Sequence, residues 1–376
     1  MYGKMIADTV RMAAYVRALE RSITPGCVVV DLGCGPGVFA LLACRFGAGH
    51  VYAIEPADSI RLVPELAGLN AYADRIEHIQ GRSTEITLPR KADVIVADLR
   101  GSLPLFDGNI ESMIDARSRH LTPGGTLIPE RDTMWAALVE APEAFAEITE
   151  PWRRDYDGLD LRAARRFVTN SWYDKRVAAG AFLIEPKAWG TIDYRQVDSP
   201  SLCGSIAARA TRSGTAHGLS IWFETTLTAD IGFSTSPDGP KTIYGNAFFP
   251  LQEPVVVEEG DDVEIVLEAR ATGDDYVWIW NTTIGGGDSG TLRASFKQST
   301  FFGTPLSLER LQKRKDGYTP RLNEDGEIER TILGMIDGSV PLRDIAHRLA
   351  ERYPGRFESW ERALTRVADS VERYGR

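Results

Sequence analysis

Three glycines at alternate positions, Gly33, Gly35 and Gly37, follow the apolar run Val28-Val29-Val30-Asp31-Leu32. A short buried strand entering such a turn lets a ligand approach the main chain closely, because glycine takes backbone angles closed to other residues. Val38 to Arg45 then reads as a helix. A second strand, Val51 to Ile54, leads to Glu55, an acid placed to accept both ribose hydroxyls of a nucleoside. A third, Ile76 to Ile79, leads to Gly81-Arg82-Ser83-Thr84, and a fourth, Ala92 to Ala97, ends at Asp98. Ligands of open α/β sheets bind outside the carboxyl ends of the strands, where all these residues fall. The elements that must position them are therefore a parallel, Rossmann-like sheet and its helices.

The dinucleotide fingerprint is G-x-G-x-x-G, whereas this turn is G-x-G-x-G. The latter resembles the class I methyltransferases. That resemblance implies S-adenosyl-L-methionine as cofactor, held by Asp31, Gly33, Gly35, Gly37, Glu55, Ser83 and Thr84.

A longer resemblance covers Met5 to about Ser295. The stretch Met5-Ile6-Ala7-Asp8-Thr9-Val10-Arg11, followed by Tyr15, is similar to the first helix of the protein arginine methyltransferase family. The resemblance implies that Arg11 pairs with the methionine carboxylate of the cofactor, a two-pronged charge-assisted contact. The segment from Ala97 to Asp107 resembles the family loop whose two glutamates clamp a substrate guanidinium. An ungapped reading puts Asp98 and Asp107 at those positions, with Glu111 as a spare acid if the register slips by a turn. Both are aspartates, one methylene shorter. A third block, Gly232 to Pro237 with Thr242-Ile243-Tyr244, resembles the substrate-side barrel and its Thr-His-Trp loop, with Ile243 at the histidine position and Tyr244 at the tryptophan position. By this resemblance Met5, Arg100, Thr242 and Tyr244 face the substrate. Residues 157–180 sit where the family inserts a helical dimerisation arm; Leu159, Leu161, Phe167 and Trp172 there suit a partner surface. Apolar alternation from Ala181 to Ser295 reads as strands, with a turn from Gly285 to Gly290.

After about Pro305 the chain changes to charged, helix-period sequence. Pro320-Arg321-Leu322-Asn323, Ile332 to Gly338, Pro341 to Ala346 and the spacing of Trp360, Leu364, Val367 and Val371 resemble the small winged-helix PqqD-like domains. That resemblance implies capture of a leader peptide as an added strand.

The 376 residues exceed one ordinary core. The expected organisation is a Rossmann-like domain over 1–129, a β-barrel substrate domain over 130–304 containing the 157–180 arm, and an α+β, winged-helix-like domain over 305–376. A net charge of −10 with interleaved basic residues argues against a nucleic-acid partner. No apolar run is long enough to span a membrane, and no signal peptide is evident; with four cysteines in no paired or metal-binding spacing, the cytoplasm is expected. Five histidines fall in no metal pattern, so no metal is expected. The leading expectation is N-methylation of a guanidinium or similar nitrogen, in a ribosomally made peptide held by the C-terminal domain of a homodimer. The alternatives are a methyltransferase for free arginine or another small intermediate, and a non-catalytic scaffold.

Overall fold

Short, β-branched, apolar runs build the first sheet. A computed structural model describes residues 2–153, 155, 157–178, 180–273, 275–287, 290–305 and 307–375. Ala179 of the expected arm, and Asp288 and Ser289 of the expected turn, lie outside them. Strands β1 (Val28–Leu32), β2 (His50–Glu55), β3 (Ile76–Gln80), β4 (Ala92–Ala97) and β5 (Leu121–Ile128) form one sheet in the order β3-β2-β1-β4-β5. Every neighbouring pair is parallel. The chain therefore winds outward one way from β1 to β3, then the other way from β4 to β5. The crevice between β1 and β4 is the point where ligands of such sheets bind. Helices α1 (Tyr2–Ala7), α2 (Thr9–Ser22), α3 (Val38–Arg45), α4 (Val63–Leu69) and α5 (Asn109–His120) accompany this sheet. In α2, Ala14, Tyr15, Ala18 and Leu19 recur at helical spacing and are buried in the core beside Val29 and Val96.

Alternating sequence builds the rest of the first unit. After β6 (Arg131–Val139) come α6 (Pro142–Thr149), α7 (Arg165–Val168) and the strands β7 (Tyr173–Asp174), β8 (Lys187–Asp193), β9 (Leu202–Arg209), β10 (Gly214–Thr228), β11 (Ile231–Ser234), β12 (Ala247–Val257), β13 (Asp262–Thr272), β14 (Asp275–Gly286) and β15 (Thr291–Ser299). Among the described residues these make two antiparallel sheets: β7-β12-β10-β6-β8, with β11 paired to β10, and β15-β14-β13-β9. Along β14, Tyr276, Trp278, Trp280 and Ile284 point inward at every second position and meet Val263, Ile265 and Leu267 of β13. Each fully buried side chain of this size contributes about 1.5–3 kcal/mol. The expected barrel is thus realised as two packed antiparallel layers.

The arm departs from its expected form. In place of a helical excursion, residues 157–178 hold a 3-10 turn at Arg162–Ala164, the four-residue α7 and the two-residue β7. Its later part folds back on the sheets: Trp172 stacks on Phe249, and the Thr169 carbonyl accepts from the Gln298 amide at 2.6 Å. Leu159 remains 62% exposed.

The chain divides into two compact units, Met1–Pro305 and Leu306–Arg376. The second contains α8 (Leu308–Gln312), α9 (Glu324–Leu333), α10 (Leu342–Arg352) and α11 (Trp360–Tyr374) around Ile328, Ile332, Ile345, Leu349 and Val367. It holds no strand among the described residues. The α+β, winged-helix-like expectation is corrected to a helical unit. The physical reason is that the segment before α9 carries Lys313-Arg314-Lys315-Asp316 and not an apolar alternation that could pair into a sheet.

Candidate active site

The carboxyl ends of β1, β2 and β4, together with α1 and the start of α5, wall a cavity of about 620 Å³. That volume lies within the range of small-ligand sites. Gly33, Cys34, Glu55, Ser83 and Thr84 line one end; Asp98, Leu99, Arg100, Asp107 and Glu111 line the other, and Met5, Ile6 and Arg11 lie on the α1–α2 side. Gly273, in the loop between β13 and β14, also reaches the wall.

The end at the glycine turn is built by the backbone. Gly33 adopts φ +68°, and a Cβ there would collide with the Leu99 side chain. Gly37, at φ +84°, caps α3 in the left-handed region. Glu55 is 8% exposed and its carboxylate accepts from the Gly35 N–H at 3.0 Å and the Ala57 N–H at 2.8 Å. Those two bonds fix its direction at the cavity wall. Asp31 does not reach the wall. It is 1% exposed and accepts from the Ala40 N–H at 2.8 Å, bracing the start of α3. Burial is the main force raising its carboxyl from 3.8 to about 7. Gly35 and Gly37 likewise shape the turn from behind the lining. Arg119 donates to the Ser83 carbonyl at 2.7 Å and the Ile86 carbonyl at 2.6 Å, which ties the Ser83–Thr84 segment to α5.

The other end is a buried charge cluster. Arg11, expected to meet the cofactor carboxylate, contacts Asp98 Oδ2 through Nε at 2.6 Å and Nη2 at 2.5 Å, and donates to the Met5 carbonyl at 3.3 Å. The Tyr244 hydroxyl donates to the same Asp98 oxygen at 2.6 Å. Arg100 Nε donates to Asp98 Oδ1 at 3.1 Å. Burial alone would raise the Asp98 carboxyl, but Arg100 and Arg11 overcome it and hold it below the usual range. Arg100 also pairs with Asp132 at 3.0 Å, and Asp132 in turn accepts from the Tyr194 hydroxyl at 2.7 Å. Asp98 therefore acts as counter-ion to two of the protein's own arginines. Asp107 stands at the exposed rim of the cavity with φ +39°. Thr242 and Tyr244 are buried beside the cluster and off the lining, while Met5 and Arg100 are on it. Ile243 turns its N–H to Asp8 Oδ2 at 2.8 Å.

Sequence reasoning missed the Arg100–Asp132–Tyr194 branch, and with it Tyr15 and Thr225, both of which accept from Arg100. These partners lie on β6, β10 and α2, far from Arg100 in the chain; the available signal was an arginine two residues from Asp98 in a loop that goes on to Leu103, Leu105 and Phe106. Among the described residues no group of side chains could hold a metal ion.

A doubly wound parallel sheet with a cavity at its switch point, joined to antiparallel layers, defines an α/β protein of Rossmann-like type. Residues 130–281 match the arginine methyltransferase oligomerization subdomain, and residues 8–129 match the ribosomal protein L11 methyltransferase family. The chain is 27% identical over 250 residues to a probable protein arginine N-methyltransferase 6 of Arabidopsis thaliana, covering 64% of this chain and 56% of that protein. It is 28% identical over 278 residues to a probable histone-arginine methyltransferase of Oryza sativa subsp. indica, covering 69% and 52%. The chain thus spans about half the length of these curated relatives. The Trypanosoma brucei PRMT1 enzyme–prozyme complex with AdoHcy superposes with a TM-score of 0.73 at 21% identity, covering 79% of this chain and 97% of that one. The chain is thus similar to protein arginine methyltransferases over about two thirds of its length.

Proposed function

We propose that the protein is an S-adenosyl-L-methionine-dependent N-methyltransferase that acts on a guanidinium or similar nitrogen. The observation that carries this reading is one cavity, at the switch point, with a nucleoside-binding end at Gly33 and Glu55 and an acidic end at Asp98 and Asp107. The cofactor fits the residues present: the turn at Gly33 leaves no room for a Cβ, and the Glu55 carboxylate is pinned by two backbone donors. Glu55 would hold the ribose, the Ser83–Thr84 segment the adenine, and Arg11 the amino-acid end. The cofactor supplies a methyl group on a sulfonium, and displacement from it needs alignment more than a strong base. Asp98 supports Arg11, and Asp107 orients the acceptor at the rim.

Glu55→Ala should weaken S-adenosylmethionine binding about ten- to a hundredfold by calorimetry, the loss of hydrogen bonds to a charged group. Unaltered affinity would remove this reading of the nucleoside end, and no binding by the unsubstituted chain would favour a scaffold.

A peptide acceptor is the finer part of the proposal, with residues 306–376 as the module that captures it. Support for a separate module is its own apolar core. Strand addition is not part of the proposal, because that unit offers no sheet edge among the described residues. Free arginine or another small intermediate is the rival acceptor. The 157–180 segment, with Leu159 exposed, is the proposed homodimer contact. The four free cysteines support action in the cytoplasm. No helix among the described residues is long and apolar enough to cross a membrane.

A further inference from the structure

Ser83 and Thr84 line the cavity from a 3-10 turn, Ser83–Glu85, that is three residues long. Within it the Glu85 N–H donates to the Arg82 carbonyl at 3.0 Å and the Ile86 N–H to the Ser83 carbonyl at 3.3 Å. So short a turn has poor hydrogen-bond geometry and does not fix its own position. Its position comes from α5. Arg119 Nη2 donates to the Ser83 carbonyl at 2.7 Å and Nη1 to the Ile86 carbonyl at 2.6 Å, at the start of the turn and just past its end. The same guanidinium forks onto Asp115, with Nε to Oδ1 at 2.7 Å and Nη2 to Oδ2 at 2.6 Å. Asp115 stands one turn earlier on α5, so the fork is steadied by its own helix.

We propose that Arg119 is a positioning residue for the base of the cofactor: braced by Asp115, it fixes the Ser83–Thr84 segment so that the segment tells one purine edge from another. The proposal rests on the methyltransferase reading above, in which that segment holds the adenine. Arg119 is off the cavity lining and acts through the main chain. Its role is placement more than stability. The pair is partly open to solvent, 34% for Arg119 and 25% for Asp115, and such i,i+4 pairs contribute little to folding. A bare charge would not need the planar fork that here joins a carboxylate to two carbonyls.

Placement matters because the reading segment carries no charge at Ser83 and Thr84, and the base is neutral too. Adenine presents a donor amine beside an acceptor ring nitrogen. Hypoxanthine presents a carbonyl acceptor beside a ring N–H. Only a segment whose donors and acceptors keep fixed directions rejects the exchanged pattern, because the wrong base leaves buried polar groups unpaired. The same helix refers the base to the opposite end of the cavity. Glu111, in the first turn of α5, lines that end, and Arg119 follows about 12 Å further along the axis. Base and acceptor are thereby set against one rigid element.

Calorimetry on the full chain compares S-adenosylhomocysteine with S-inosylhomocysteine. The unsubstituted chain should prefer the adenosine form by about tenfold or more. Arg119→Ala should weaken that form about tenfold and the inosine form less than about twofold, so the preference collapses. Arg119→Lys keeps the charge but lacks the fork, and should fall between the two. Asp115→Asn leaves Arg119 in place with a looser brace, and should narrow the ratio by a smaller factor; these two variants carry the test if Arg119→Ala does not fold. A purely structural role would weaken both ligands alike, and that result overturns the proposal. So does a lysine variant indistinguishable from the unsubstituted chain, or an unsubstituted chain that binds both forms equally. Failure of the unsubstituted chain to bind either form removes the methyltransferase reading itself. An adenosine preference that survives Arg119→Ala removes only the role of Arg119.

Discussion

Asp31 is a carboxyl with one hydrogen bond and no counter-ion contact. Its Oδ2 accepts from Ala40, but its buried Oδ1 has no partner. With a folded value of about 7 against an ordinary 3.8, the folded state keeps a proton that the unfolded state has released across that interval. Stability is then full below the ordinary carboxylate range and declines as pH rises toward 7. Asp98 has the opposite sign: its folded value is depressed, so its contribution is present above the ordinary range and is lost in acid. Between pH 5 and pH 8 burial also lowers His120 and His217, whose contributions rise with pH, so Asp31 is read from the difference between the unsubstituted chain and its variant. Asp31→Asn should abolish a decline of about 2–3 kcal/mol over that range. If the variant shows the same decline, another group is responsible.

At the scale of elements, α2 is held from both ends of one side chain. Asp8 caps the helix by accepting from the Arg11 N–H at 3.0 Å, and its other oxygen accepts from the Ile243 N–H at 2.8 Å. The cap therefore joins the helix that carries Arg11 to the loop that carries Tyr244. Asp8→Ala should cost about 1–2 kcal/mol in denaturant unfolding, with weaker cofactor binding because Arg11 loses its foundation. A loss no larger than a few tenths would show that the cap is not holding the helix. The same scale explains what could be read in advance. β1, the glycine turn, α3 and β4 announce themselves through contiguous residues, and their observed bounds follow the pattern of valines, glycines and alanines. Local sequence carries no sign that Arg100 pairs with Asp132 and Thr225, because strand pairing of β6 with β10 brings those partners together. The C-terminal expectation failed for a related reason. Helical spacing was legible at Trp360, Leu364, Val367 and Val371, but the strands were inferred from resemblance alone.

At the scale of the molecule, every residue lining the cavity lies in the unit Met1–Pro305. A chain ending at Pro305 should bind S-adenosylmethionine with unchanged affinity. If the second unit captures a peptide, the shortened chain should lose methyl transfer to a full-length peptide acceptor while retaining it on a short one. Equal loss on both would assign that unit a stabilising role in place of a capturing one.

The cluster of Arg11, Asp98, Arg100 and Asp132 joins α2 and β4 to β6, with Thr225 of β10 attached to it. Removing one member of a buried pair costs about 3–5 kcal/mol because the other is left uncompensated. A lineage that exchanged Arg100 for a neutral residue would be expected to change Asp132 in the same passage. Exchanges within this cluster would then come in paired steps, each crossing a less stable intermediate sequence.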